Sequence, residues 1–136
     1  MNKIIINIDG ACKGNPGPSA IGVIISDEQK GVIARISKAI GRTTNNRAEY
    51  MAVIAALEKA VAMGAERVEI RSDSELLVRQ ITGKYKVKNA GLLPLYEKAK
   101  QLELSISTFK IRHVPREENR EADELANRAL KRPTGL

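Results

Sequence analysis

A chain of 136 residues with 43% hydrophobic and 3% aromatic side chains has the size of one ordinary domain, and its core must be built from Ile, Val, Leu and Ala. The 23 Lys and Arg against 16 Asp and Glu, a formal charge of +7, favour a polyanionic partner such as nucleic acid, although plain solubility would also account for the charge. The single cysteine, Cys12, excludes an internal disulfide and fits a reducing compartment; no signal-peptide pattern opens the chain and no stretch reaches the about 18 apolar residues of a membrane span, so a cytoplasmic protein without membrane contact is expected.

The first element is the β-branched run Ile4-Ile5-Ile6-Asn7-Ile8, read as a buried strand that Asp9-Gly10 closes. Gly14-Asn15-Pro16-Gly17-Pro18 is a turn-rich loop. Strands are expected over Ala20–Ser26 and from Gly31 to Ala39, joined by a hairpin turn at 27–30, which makes an antiparallel meander. Thr43-Thr44-Asn45-Asn46 then caps a long helix whose apolar stripe includes Met51, Ile54, Ala55, Leu57 and Val61, with Gly64 as its C-terminal stop. Arg67-Val68-Glu69-Ile70-Arg71 alternates like a half-exposed strand, and Ser72-Asp73-Ser74 caps a short helix to Ile81. A basic loop, Gly83–Gly91, carries Lys84, Lys86 and Lys88. A helix over 92–102, a strand over 106–114 and a final helix over 117–131 complete the order βββαβααβα. Residues 1–132 therefore read as one α/β domain without repeats or linkers, and 133–136 as a frayed tail.

The acids fall at suggestive places. Asp9 and Asp73 close strands, Glu49 lies in the first turn of the long helix, and Asp123 lies in the last helix. Sites in open α/β sheets form beyond the carboxyl ends of strands, so Asp9 and Asp73 converge if the first and fourth strands are neighbours. Clustered carboxylates repel unless cations neutralise them, and oxygen ligands suit Mg²⁺ or Mn²⁺. Two such ions about 4 Å apart clamp the attacking and leaving oxygens of a phosphoryl displacement. Each acid taken alone has a structural alternative: a turn at Asp9, a helix-dipole contact at Glu49, an N-cap at Asp73, a surface position at Asp123.

Four strings decide between these readings. Asp9-Gly10-Ala11-Cys12-Lys13-Gly14-Asn15-Pro16-Gly17-Pro18, Thr44-Asn45-Asn46-Arg47-Ala48-Glu49, Ser72-Asp73-Ser74 with Val78-Arg79-Gln80, and His113, Asn119 and Asp123 with Glu124-Leu125-Ala126 resemble, in order and spacing, the motifs of type 1 ribonuclease H. The resemblance extends over nearly the whole chain. It implies a five-stranded mixed sheet flanked by helices, in agreement with the order read above. It also implies hydrolysis of the RNA strand of RNA–DNA hybrids with divalent metal, leaving 3′-hydroxyl and 5′-phosphate ends. Asp9, Glu49, Asp73 and Asp123 are thereby assigned as ligands of two Mg²⁺ ions (Mn²⁺ as substitute), Asp9 bridging them, and His113 as an aid to proton transfer or product departure. Asn15, Asn45, Asn46 and Asn119 match substrate-lining positions, where amides can read the 2′-hydroxyl; turn and cap chemistry is the simpler use of the first three.

Two departures from the family pattern are visible. Many bacterial members insert a long, tryptophan-bearing basic excursion after the third motif, whereas this chain has no Trp and only the short 82–91 stretch. Lys84, Lys86 and Lys88 are its minimal substitute on the hybrid, or merely a solvated loop. Glu75 stands where many members carry Gln. Cys12 reads as a packing residue. Double-stranded RNA is a second candidate partner because some short members have that breadth, a monomer is the default state, and the alternative from another class is a non-catalytic hybrid-binding module.

Overall fold

The computed structural model describes residues 3–131; the expected frayed tail at 133–136 lies outside the described residues. Three strands, β1 (Lys3–Cys12), β2 (Gly17–Ser26) and β3 (Val32–Thr43), form the antiparallel meander. After α1 (Asn45–Ala62), β4 (Arg67–Ser72) joins β1 in parallel. The short α2 (Glu75–Ile81) and α3 (Leu93–Glu103) lead to β5 (Thr108–His113), parallel to β4, and α4 (Arg120–Lys131) is the last element. The mixed sheet has the order β3-β2-β1-β4-β5, so the α/β expectation and the element order both hold.

Period-two alternation explains the layers. Ile4, Ile6 and Ile8 of β1 are fully buried, on the face where β1 and β2 meet α1, whose Tyr50, Val53 and Leu57 complete the main core with Ile70 and Ile111. Each such buried aliphatic side chain contributes roughly 1.5–3 kcal/mol. The Tyr50 hydroxyl donates to Gln80 Oε1 at 2.7 Å, so its buried polar end is satisfied. The opposite face of β2 buries Ile24 against Ala122 and Leu125 of α4. That helix can lie so close because residue 22 is Gly: a Cβ there would sit 2.0 Å from the Ala122 carbonyl oxygen.

Several boundaries differ from the sequence expectations. Asp9-Gly10 does not close β1, because β2 keeps pairing past it, with Gly10 opposite Ile21 and Cys12 opposite Ser19. β3 runs on to Thr43; Ile40 is an extra residue, since Ala20 faces Ala39 while Ser19 faces Gly41, and Gly41 takes φ +83° at this bulge. α1 starts at Asn45, with the Thr44 hydroxyl accepting from Arg47 N at 3.3 Å, so Glu49 lies in the second turn rather than the first. β5 is shorter than expected because pairing with β4 spans only Thr108 to His113. The expected final helix breaks into a 3-10 turn, Arg116–Glu118, and α4; Asn119 between them leaves helical geometry at φ −122° while its side chain turns into the sheet.

Candidate active site

Pairing of the two parallel strands puts Asn7 opposite Arg71; two residues on stand Asp9, still in β1, and Asp73, just past the end of β4. Asp73 is free of capping work, because Ser74 caps α2 through a 3.3 Å bond accepted from Leu77 N. Glu49 arrives from α1. Gly10 lets that helix in, as a Cβ there would lie 2.6 Å from the Ala48 carbonyl carbon and the Glu49 nitrogen. The Gly10 N–H in turn donates to Glu49 Oε1 at 2.9 Å. One carboxylate oxygen each from Asp9, Glu49 and Asp73 lie within 4.8 Å of one another. Asp123 of α4 is half-buried on the same open cleft of about 680 Å³, with Asn45, Ser74, His113, Arg116 and Asn127.

The electrostatics are those of an unneutralised site. Asp9 is held far above the usual carboxylate range by burial first, then by the Glu49 charge, a hydrogen bond with Asp123 and the Asp73 charge. Burial also raises Glu49, helped by Asp73, while the Gly10 N–H works against it. Asp73 is raised by burial and then Asp123, against the opposing charge of Arg116. Among the described residues, Glu49 Oε2 is the buried side-chain oxygen that finds no hydrogen-bond partner. An orphaned, dry carboxylate oxygen beside two further carboxylates is a donor set for a hard divalent cation, so the residues present fit such an ion.

The remaining sequence candidates divide into three groups. His113 is exposed on the rim of the cleft, at the end of β5. Asn15 and Asn45 are brought together, Asn15 Oδ1 accepting from Asn45 N at 2.9 Å, and Asn46 is exposed beside them. Lys84, Lys86 and Lys88 are all exposed away from the acids; Lys84 borders a neighbouring hollow that His113 shares, and none of the three lines the acidic cleft.

Asn119 departs from its expected role. It is 1% exposed, its Nδ2 donates to the Ile8 carbonyl at 2.8 Å, and its Oδ1 accepts from Asn7 Nδ2 at 3.0 Å. Substrate contact does not fit that burial; Asn119 pins the start of α4 to β1 and thereby sets Asp123 over the cleft. Two cleft residues escaped the sequence reading. Arg116 supplies a counter-charge to Asp73, and Asn127 donates to Asp123 Oδ1 at 3.1 Å; the four-residue interval from Asp123 to Asn127 was the available signal for the second. Cys12 is half-buried, its Sγ donating to the Thr43 carbonyl at 3.3 Å.

Comparison with known proteins agrees with this geometry. A family model described as reverse transcriptase-like matches residues 7–129. The chain is 43% identical over 122 residues to a ribonuclease HI of Halobacterium salinarum, covering 90% of this chain and 61% of that relative, and it spans 35% of a bifunctional protein of Mycobacterium tuberculosis to which it is 42% identical. It thus covers less than two thirds of the length of these curated relatives. Among solved structures, ribonuclease H1 of Halobacterium salinarum superposes with a TM-score of 0.92 at 41% identity, covering 94% of this chain and 97% of that one. A ribonuclease H1 isolated from compost, solved in complex with RNA/DNA hybrid, gives a TM-score of 0.88 at 44% identity, over 93% of this chain and 96% of that one.

Proposed function

Since the chain belongs to the ribonuclease H family, type 1, we propose that it is an endonuclease that hydrolyses the RNA strand of RNA–DNA hybrids, leaving 3′-hydroxyl and 5′-phosphate ends. The observation that carries the reading is the unpartnered Glu49 Oε2 inside the Asp9–Glu49–Asp73 cluster, a site built for cations within a chain of charge +7. Asp9, Glu49, Asp73 and Asp123 would hold two Mg²⁺ ions, with Mn²⁺ as substitute. Such ions supply charge neutralisation and Lewis acidity on both sides of a phosphodiester.

The chain's own groups do the rest. Arg116 balances the Asp73 charge and, lining the cleft, would meet an incoming phosphate. His113, exposed on the rim, can take or give a proton at its imidazole nitrogen as the product departs. With Asn15 Oδ1 occupied by Asn45 N, the Asn15 Nδ2 group and the Asn45 and Asn46 amides are left to read the RNA 2′-hydroxyl, the group that separates RNA from DNA. Lys84, Lys86 and Lys88, all exposed, would hold backbone phosphates outside the acids. Residues 1–132 serve as one domain acting as a monomer; among the described residues no helix is long and apolar enough to cross a membrane.

The test is cleavage of an end-labelled RNA–DNA hybrid beside duplex DNA and duplex RNA, with Mg²⁺ or Mn²⁺, for the wild type and Asp9→Asn. Metal-dependent cutting of the hybrid's RNA should fall by about a thousand-fold or more in the variant, a barrier increase of about 4 kcal/mol, while hybrid binding survives. Tight binding without cutting under either metal would replace the enzyme with a hybrid-binding module, and cutting of duplex RNA would add it as a second substrate.

A further inference from the structure

Away from the cleft, one sheet face is both open and strongly basic. On that face α4 lies over β2, β1 and β3, and the outer side of β4 and β5 carries no helix among the described residues. Strand register sets Lys3 beside Arg67, Glu69 beside Lys110, and Arg71 beside Arg112 on this side. Five cations thus share the strand positions of this face with one acid, Glu69; Glu28 reaches Arg67 at one end, and Glu117, Glu118 and Glu121 border the face where Asn7 lines a hollow with them.

That acid is organised rather than merely neutralised. Glu69 is 5% exposed; its Oε2 accepts from Arg71 Nε at 2.7 Å and meets Arg112 Nη1 at 3.5 Å, while Lys3 Nζ lies 3.8 Å from Oε1. One carboxylate needs one cation, and this one gathers three. It grips Arg71 by Nε, which leaves both terminal nitrogens of that guanidinium without a partner among the described residues, and it holds a second guanidinium alongside. Lys110 makes no ion pair among the described residues, and Arg67 reaches only the half-exposed Glu28 at 3.8 Å. The paired arginines directly precede Ser72 and His113, so they abut the cleft rim, where Arg116 already stands. From there to Arg67 the face extends along β4 for about 13 Å.

We propose that this face is a second polyanion-binding surface, taking the sugar–phosphate backbone of the nucleic acid that extends beyond the cleft, with Arg71 and Arg112 as its main phosphate site. Guanidinium forks fixed by a buried carboxylate suit phosphate oxygens and lose little freedom on binding. An acidic protein segment would match the charge as well, but the face continues into a cleft that takes nucleic acid, and continuity favours the backbone. The inference rests on the hybrid being the substrate.

The experiment measures anisotropy of fluorescein-labelled RNA–DNA hybrids of about 8 and about 24 base pairs with the full chain in EDTA, where nothing is cut, across a salt series. One variant, E69Q/R71Q/K110Q/R112Q, removes three of the five cations without stranding the buried carboxylate; a second, R67Q/K110Q, leaves Glu69 and its partners intact and guards against misfolding of the first. The long hybrid should bind about tenfold more weakly to the first variant and about threefold more weakly to the second, with a salt slope shallower by about 2–3 in the first. The short hybrid should be unchanged within about twofold. Unchanged affinity and slope for the long hybrid, or equal losses at both lengths, would overturn the proposal. Because only binding is read, a chain that binds hybrid but fails to cut it would sink the enzymatic reading and leave this one measurable.

Discussion

Glu49 and Glu69 are equally buried, each 5% exposed, and they belong to one small domain, yet their surroundings are opposites. Glu69 has Arg71, Arg112 and Lys3 around it; burial alone would raise its pKa, but the hydrogen bond and charge of Arg71, then Arg112 and Lys3, overcome that and lower it. Glu49 is raised by burial first and then by the Asp73 charge, which the Gly10 N–H and a hydrogen bond with Asp9 do not offset, and its second oxygen has no partner among the described residues. Paired burial is what a chain does when a carboxylate serves the structure. Unpaired burial in a cluster is the arrangement a cation could complete, and the fold maintains this cluster through Gly10, which admits α1, and Asn119, which fixes α4.

The contrast can be tested most severely at Glu49. Glu49→Gln keeps an oxygen to accept from Gly10 N and removes one charge from the cluster. Hybrid cleavage with Mg²⁺ should drop by about a thousand-fold or more, while the metal-free melting temperature stays level or rises by a few degrees as repulsion is relieved. A variant that keeps its activity, or melts well below the wild type, would show that Glu49 is structural after all.

Glu69→Gln is the mirror experiment with a smaller effect. Breaking a fully buried ion pair costs about 3–5 kcal/mol, but the partners here are one third to one half exposed and can rehydrate, and Gln still accepts from Arg71 Nε. A loss of about 1–2 kcal/mol in urea unfolding is expected, with kcat on hybrid unchanged. Loss of kcat without loss of stability would reverse the roles assigned to the two glutamates.

Which of these two residues the sequence made visible follows from what each depends on. The cleft acids sit in local strings whose order and spacing survive in one dimension, so Asp9, Glu49, Asp73 and Asp123 could be named before their geometry was known. Glu69 sits in an alternation that reads only as a half-exposed strand; its cations come from β1, β4 and β5 and meet only when the sheet forms. Arg116 hid in a connection between elements for the same reason. The motif points to Asn119 but not to its task, because a motif position says that an amide is needed and not which way it faces. Asp9-Gly10 reads as the end of β1 because a Gly after an acid is a good turn signal, and only pairing with β2 across that point, a long-range contact, overrides it.

The measurement that separates the two carboxylates in a single titration is the pH dependence of stability without metal. Asp9, Glu49 and Asp73 have folded-state pKa values above their unfolded ones, so the folded state binds more protons than the unfolded state across that interval. Their contribution is fully present below the ordinary carboxylate range of about 4 and is lost as pH rises through the raised values. Glu69 has the opposite sign: its lowered folded value gives stability that is present above about 4.5 and lost as pH falls through the lowered value. The metal-free protein should therefore gain stability as pH is brought from about 9 down to about 5, and lose it again further into acid, with Glu69→Gln removing part of the acid-side loss. Mg²⁺ at about 100 times its dissociation constant should add about 2.7 kcal/mol, and more of that gain should appear at alkaline pH, because the ion displaces the protons these acids otherwise retain. Urea unfolding at four or five pH values, with and without Mg²⁺, reads both signs; a metal-free profile that only rises with pH would mean that the cluster is already neutralised within the chain, and the distinction between the two buried glutamates would fail.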